Sequence, residues 1–344
     1  MKRIVLMIAA CICFASGCDE NEKTTILPVG GGSGLQAGDT SFYNGDNGSG
    51  YYGVGFTMVY VPAKTFRINS GSEVDSGTAK VSRPFWIGET EVTYILWHRV
   101  RAWAVSHGYF FVNYGTEGDD GTPGDDPSTT SIEPVTTVNW RDAMVWTNAA
   151  TEWYNEMNGA SLTCVYYSDS GYTTPLRDTA DGVYGSTVNS EAGSFDNPHV
   201  RPRATGFRLL TSDEWELAAR YIDDANNDGD ISDPGEYYPG DYASGATANG
   251  QYLWATNFVA WYDANSSTNH TKDVKTKEPN ALGLYDMSGN VWEWCFDWYN
   301  ATSRTRRGGC YAAGYTYLEV GNDLYSHTPY SEAGTIGFRI AKSQ

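Results

Sequence analysis

Ile4 to Phe14 is an unbroken apolar run behind the basic triplet Met1-Lys2-Arg3. A run of that length is too short to span a bilayer and has the form of a signal-peptide core. Residues 19–50 carry few apolar side chains and are rich in Gly, Ser, Asp and Asn, as in a flexible tether. From Tyr51 onwards apolar positions recur with structural periods. FTMVYVPAKTFRI (56–68) alternates as a half-buried β pair broken around Pro62, and Val81 to Thr93 reads as a strand entering a helix. Thr93 is placed to cap that helix, with Ile95, Leu96, Val100 and Trp103 on its apolar face. A second helix opens at Val138-Asn139-Trp140 and runs to about Asn158. The third has the clearest start: Thr211 as N-cap and Glu214 three residues on form a capping box, followed by Trp215, Leu217 and Ala218. Residues 165–205 and 222–250 are polar and read as loop insertions. The remaining strands are short: GLYDM, NVWEWCFDWY, RRGGCYA and TIGFRIA. The pattern predicts an irregular α+β domain over 51–344, with loops pinned by aromatic packing and ions.

Composition narrows the function. Lys and Arg number 23 against 42 Asp and Glu, a net charge of −19 that becomes −21 once residues 1–17 are removed. A protein that reads phosphates needs the opposite sign, so nucleic acid is excluded as a partner. Ala15-Ser16-Gly17 directly before Cys18 resembles a bacterial lipobox, which implies cleavage after Gly17 and a lipid on Cys18. No other segment is long and apolar enough to cross a membrane, so the lipid is the expected anchor and the bacterial envelope the expected location: outer membrane, periplasmic face or cell surface. Beyond the leader and Cys18, the cysteines are Cys164, Cys295 and Cys310. In an oxidising compartment one pair could bridge, leaving an odd thiol.

Asp224-Ala-Asn226-Asn-Asp228-Gly229-Asp230-Ile231-Ser-Asp233 places oxygen-bearing side chains at loop positions 1, 3, 5 and 7, with Gly at 6 and an apolar residue at 8. This is the first two-thirds of an EF-hand-like calcium loop. The Glu expected at position 12 is replaced by Gly235, and Asp233 and Glu236 flank it as substitutes. The alternative is a solvated acidic turn.

Several blocks together carry a family resemblance. Met58 to Pro62, Arg83-Pro84-Phe85-Trp86-Ile87, Glu89 to Thr93, Val138-Asn139-Trp140, Gly206 to Leu209 with Glu214-Trp215-Glu216 and Ala218-Ala219-Arg220, Asn280 to Trp294, Arg307-Gly308-Gly309 and Gly337-Phe338-Arg339 follow in that order. The set resembles the formylglycine-generating enzyme (sulfatase-modifying factor) family over about 56–342. The resemblance implies a single irregular domain related to C-type-lectin-like folds, with bound structural calcium. For the ion it implies Asn290, the carbonyl of Val291 and Glu293, with Asn257 at the start of a second site. A buried Glu293 between Trp292 and Trp294 needs a cation or several donors in any case.

Active members of the family oxidise a sulfatase cysteine with O2 through copper on two cysteines. Those fall four and nine residues past the second Gly of Arg-Gly-Gly, which here are Ala313 and Leu318. Reduced copper requires soft sulfur ligands, so copper is not expected. The iron-dependent branch uses His-x3-His-x-Glu, and none of the five histidines has that spacing. The expected function is therefore a lipid-anchored, calcium-stabilised binding or accessory module for protein or glycan. The rival is an oxidase with a rearranged metal site using Cys310 and a distant cysteine. A rigid structural component of an envelope assembly is the third reading.

Overall fold

The computed structural model describes residues 35–43, 55–70, 73–180, 186–266 and 269–344. The leader, Cys18 and most of the expected tether lie outside them. The strands are β1 (Thr40–Tyr43), β2 (Phe56–Val61), β3 (Lys64–Ser70), β4 (Glu73–Val81), β5 (Phe85–Gly88), β6 (Thr116–Glu117), β7 (Val135–Thr136), β8 (Tyr166–Tyr167), β9 (His199–Val200), β10 (Phe207–Leu209), β11 (Trp292–Asn300), β12 (Ser303–Arg307), β13 (Ser326–His327), β14 (Ile336–Gly337) and β15 (Ile340–Ser343). The helices are α1 (Tyr94–Ser106), α2 (Trp140–Asn158), α3 (Ser212–Arg220) and the short α4 (Leu253–Val259).

An antiparallel sheet in the order β1-β2-β5-β15-β10 forms the centre. Both of its faces are covered. Met58, Phe207, Leu209 and Ile340 join the apolar cluster built by α1 and α2, while Val59, Val61, Phe85, Ile87 and Ala341 join the one under α3. That is why Met58 to Val61 are all buried instead of alternating with exposed positions. A second sheet, β13-β12-β11-β14, carries the Trp-rich strand, with β11 and β14 parallel. The single mixed α+β domain expected from the pattern is the one observed.

Local chemistry fixes the helix starts. Asp142 N–H donates to Asn139 Oδ1 at 2.9 Å and Asn139 N–H to Asp142 Oδ2 at 3.3 Å, closing a capping box on α2, and Gly159 ends the helix in the left-handed region. The Thr211–Glu214 box forms as expected, and Arg208 grips the same Glu214 with two N–H donors at 2.6 and 2.8 Å. Three local expectations need correction. Thr93 holds the N-cap position of α1, but its side chain makes no capping bond, and the buried face is Tyr94, Leu96, Trp97, Val100 and Ala104. GLYDM is no strand: Asp286 lies at φ 56° in a turn that carries buried carboxylate chemistry. Thr40–Tyr43, placed in the tether by composition, is the edge strand of the central sheet. Tyr43 stacks on Phe56 at 5.2 Å and meets Phe207 edge-on, which offsets the cost of ordering a polar segment.

Candidate functional site

The Arg-Gly-Gly turn after β12 needs its glycines. Gly308 and Gly309 have φ of 93° and 76°, and a Cβ on Gly309 would lie 2.6 Å from Leu318 Cδ2 and 2.8 Å from the Tyr317 carbonyl. The turn delivers the chain to the two positions where the family's copper cysteines are expected. Ala313 packs against the α1/α2 cluster. Leu318 is fully buried in a third cluster with Ala243, Ala255, Val259 and Tyr262. Two aliphatic groups in separate apolar clusters offer no ligand. Cys164, Cys295 and Cys310 are free and buried, with no disulfide among them. Cys295 lies in the α3 cluster and Cys310 in the α1/α2 cluster, and burial pushes both thiols up, so both are protonated at neutral pH.

In place of a thiolate pair the turn presents aromatic rings. Tyr325 lies 5.1 Å from Trp292 and 4.8 Å from Tyr317, Tyr317 meets Trp292 edge-on at 6.2 Å, and the Arg306 guanidinium stands 4.5 Å over the Trp292 ring. Trp292 is buried, whereas Tyr317 and Tyr325 are half-exposed and Leu324 beside them is 68% exposed. Rings with one face packed and one face wet, plus a partly desolvated cation, form a surface suited to recognition.

Behind this step lies the ionic centre of the molecule. Glu293 is 1% exposed. Its Oε1 accepts from Arg339 Nη2 at 2.8 Å and Nε at 3.1 Å, and its Oε2 accepts from Trp215 Nε1 at 2.9 Å. Arg339 is saturated in turn, donating Nη1 to the Gly88 carbonyl and Nη2 to the Tyr285 carbonyl. Asn290, at φ 56°, accepts from Lys272 N–H at 3.0 Å and donates to the Lys272 carbonyl at 3.2 Å. The side chains of Asn290 and Glu293, expected on calcium, are thus engaged by a backbone strap and by a guanidinium. Val291 contributes its side chain to the core.

Two other carboxylates stand in this centre and fit a cation better. Glu91, 1% exposed, has no partner on either oxygen, and Asp286, 3% exposed, has one on Oδ2 (Lys275 N–H, 2.8 Å) but none on Oδ1. Burial first, and then the Asp286 charge, push Glu91 well up; burial likewise raises Asp286. Among the described residues no three His, Cys, Asp or Glu side chains converge as a metal cage, so an ion here would need backbone carbonyls. Sequence reasoning quoted Glu91, Asp286 and Arg339 inside the family blocks but gave them no role. For Asp286 and Arg339 the usable signal was a lone charge inside an apolar stretch; Glu91, two residues after Glu89, carried none.

The acidic loop also takes shape. Ile231 is fully buried in the α3 cluster, and the loop pairs with β3 through Thr65 N–H to the Gly229 carbonyl at 3.3 Å and Ile231 N–H to the Thr65 carbonyl at 2.9 Å. Asp228 Oδ1 accepts from Asp230 N–H and Asp230 Oδ1 from Ser232 N–H, both at 2.8 Å. Asp224 pairs with Lys64. Asn226 Nδ2 faces Asp228 Oδ2 at 3.1 Å and Asp233 Oδ2 at 3.2 Å. Elsewhere an open cleft of about 480 Å³ is lined by Asp120, Glu133, Trp261, His270 and Asp273. There burial pushes Glu133 up to about 7, and His270 is raised by its hydrogen bond to Asp119 at 2.9 Å. α4 and its N-cap form a second aromatic surface: Tyr252, Trp254 and Phe258 are each more than half exposed. No helix among the described residues is long and apolar enough to cross a membrane.

The chain is similar to known proteins. The chain is 28% identical over 280 residues to a chaperone protein LppX of Paenibacillus barcinonensis, covering 79% of this chain and 84% of that protein. It is 31% identical over 170 residues to a formylglycine-generating enzyme of Streptomyces coelicolor, covering 43% of this chain and 50% of the enzyme, so the match spans about half of that relative. Among solved structures, Treponema denticola variable protein 1 superposes with a TM-score of 0.61 at 26% identity, covering 89% of this chain and 99% of the other. Residues 55–344 match the family described as the sulfatase-modifying factor enzyme 1-like domain. The chain belongs to that family.

Proposed function

We propose that this protein is a non-catalytic member of its family, a binding or accessory module held at the bacterial envelope by a lipid on Cys18. Its ligand, a protein or a glycan, would be taken on the Trp292–Tyr317–Tyr325 step. One observation carries the reading: the turn that holds the copper cysteines in active relatives here supplies Ala313 and Leu318 to apolar clusters and presents half-exposed tyrosines instead. A relative named as a chaperone along most of its length supports an accessory role over an oxidative one. The three buried, protonated thiols give the rival oxidase no soft ligand pair.

The test compares wild type with Tyr317→Ala/Tyr325→Ala on a glycan array and in crosslinking to envelope proteins. Binding that falls in this variant and survives Trp254→Ala/Phe258→Ala supports the step as the contact surface. The reverse pattern moves contact to α4 and favours the assembly reading. Formylglycine formed on a sulfatase peptide with copper and O2, clearly above a metal-free control, overturns the non-catalytic reading. For the anchor, fatty-acid labelling should mark wild type and not Cys18→Ala; equal labelling of both would exclude the lipid.

A further inference from the structure

We propose that residues 224–236 form a calcium site closed by Glu236, a carboxylate one position later than an EF-hand places it. Asp224, Asn226 and Asp228 would supply side-chain oxygens, and Asp230 its backbone carbonyl, at the first, third, fifth and seventh loop positions. The acidic run alone would not carry this. The decisive observation is a buried carboxylate at each end of the loop, one of them with a bare oxygen aimed into it. Asp224 is 9% exposed and is met by Lys64 and by the loop's own Asp228 and Gly229 N–H groups, whereas Glu236, 5% exposed, has no hydrogen-bond partner on Oε2. A carboxylate oxygen withdrawn from water and left bare costs free energy unless a cation or a donor meets it.

The two ends are held together. Ile222 and Asp223 N–H both donate to the Glu236 carbonyl, at 2.9 and 3.2 Å. Glu236 Oε1 accepts from Ala225 N–H at 2.9 Å, which turns the carboxylate back over the first turn of the loop, with Oε2 left over. The one-residue offset has a visible cause: Gly235, at φ 98°, adds a left-handed step after Pro234 where the twelfth ligand would stand.

Charge points the same way. Six carboxylates lie between Asp223 and Glu236. The cations that face them are Lys64, on Asp224, and Arg67, whose Nε donates to the Ser232 carbonyl at 3.2 Å. Lys64 answers one oxygen of one carboxylate. The Asn226 amide nitrogen answers two more, lying between Asp228 and Asp233 where a cation would be attracted, while its Oδ1 accepts from Asp228 N–H at 3.0 Å; an ion would displace the nitrogen and draw the oxygen off that N–H. The loop thus stands in a resting form with protein donors holding the place of an ion. That form accounts for the lack of a preformed three-carboxylate cage among the described residues. An ion would tie the end of α3 to β3, because Ile231 and Thr65 already join the two. The inference is independent of what the aromatic step binds.

Calcium titrated calorimetrically into the whole chain, prepared in chelator, tests it. Asp228 is exposed, so Asp228→Asn disturbs no buried contact, and Glu236→Gln keeps the shape of the buried end. Each should weaken one calcium site by roughly tenfold or more, the scale reached when even outer-shell partners of a metal are lost. Calcium protection of the loop from proteolysis should disappear with it. Glu91→Gln should leave that site intact, and Lys64→Gln should retain or tighten it. Calcium affinities unchanged in both Asp228→Asn and Glu236→Gln, or no calcium uptake by wild type at millimolar concentration, would overturn the proposal and leave an acidic turn held by Lys64.

Discussion

Glu293 and Glu236 are both buried glutamates in segments expected to bind calcium, and the protein treats them oppositely. Glu293 sits on β11 in the buried core, where residues 46 apart in sequence meet, and its charge is answered by Arg339 and Trp215. Glu236 sits at the neck of a surface insertion, where chain reversal brings backbone N–H groups but no guanidinium, and one oxygen is left over. Burial is common to both; the available partner is not. A protein-supplied cation is fixed in place by the fold, whereas a loop that lacks one depends on what the solution provides.

The comparison can be broken most forcefully at Arg339. Arg339→Met nearly keeps the volume but leaves Glu293 itself a buried, uncompensated charge, with Glu91 and Asp286 nearby. The expected loss is about 3–5 kcal/mol in urea unfolding, the range for breaking a buried pair from one side. A loss below about 1 kcal/mol would mean that another cation already serves Glu293. Glu91 gives a smaller effect, read as a slope against pH. Its folded form holds a proton that the unfolded chain releases near 4.5, so wild-type stability falls as pH rises above that value until the folded group ionises too. Glu91→Gln removes this contribution and should gain on wild type between pH 5 and 8 in thermal melts without added metal. Parallel curves would show that Glu91 is answered by a cation carried through purification.

Much of this was readable in the sequence because it is local. The capping box at Thr211 depends on residues three apart, the helix start at Asn139 on its neighbours, and the buried Ile231 on the spacing of one loop. The family blocks gave the domain and the missing copper cysteines by position alone. Pairing at long range is not legible in this way. Glu293 was correctly judged buried and in need of a partner. Its guanidinium, however, lies in another block, and nothing in the strand containing Glu293 distinguishes an arginine partner from an ion. Asn290 is a like case, since its amide binds the backbone of Lys272 and no spacing rule announces that. β1 was missed because a four-residue strand in polar sequence is stabilised by rings from β2 and β10, which composition cannot register.

The place of β15 has a consequence for how the molecule is made. It lies between β5 and β10, and the residue just before it carries the counter-charge of Glu293. The ribosome therefore delivers the middle of the sheet after both of its neighbours, and the central ion pair closes only when residue 339 has emerged. A chain interrupted before Arg339 leaves β10 unjoined to β1-β2-β5 and Glu293 without its counter-charge. Burial of the central charge thus waits on the last of the described strands: Glu293 meets its counter-charge only after the segment holding Arg339 and β15 has been made.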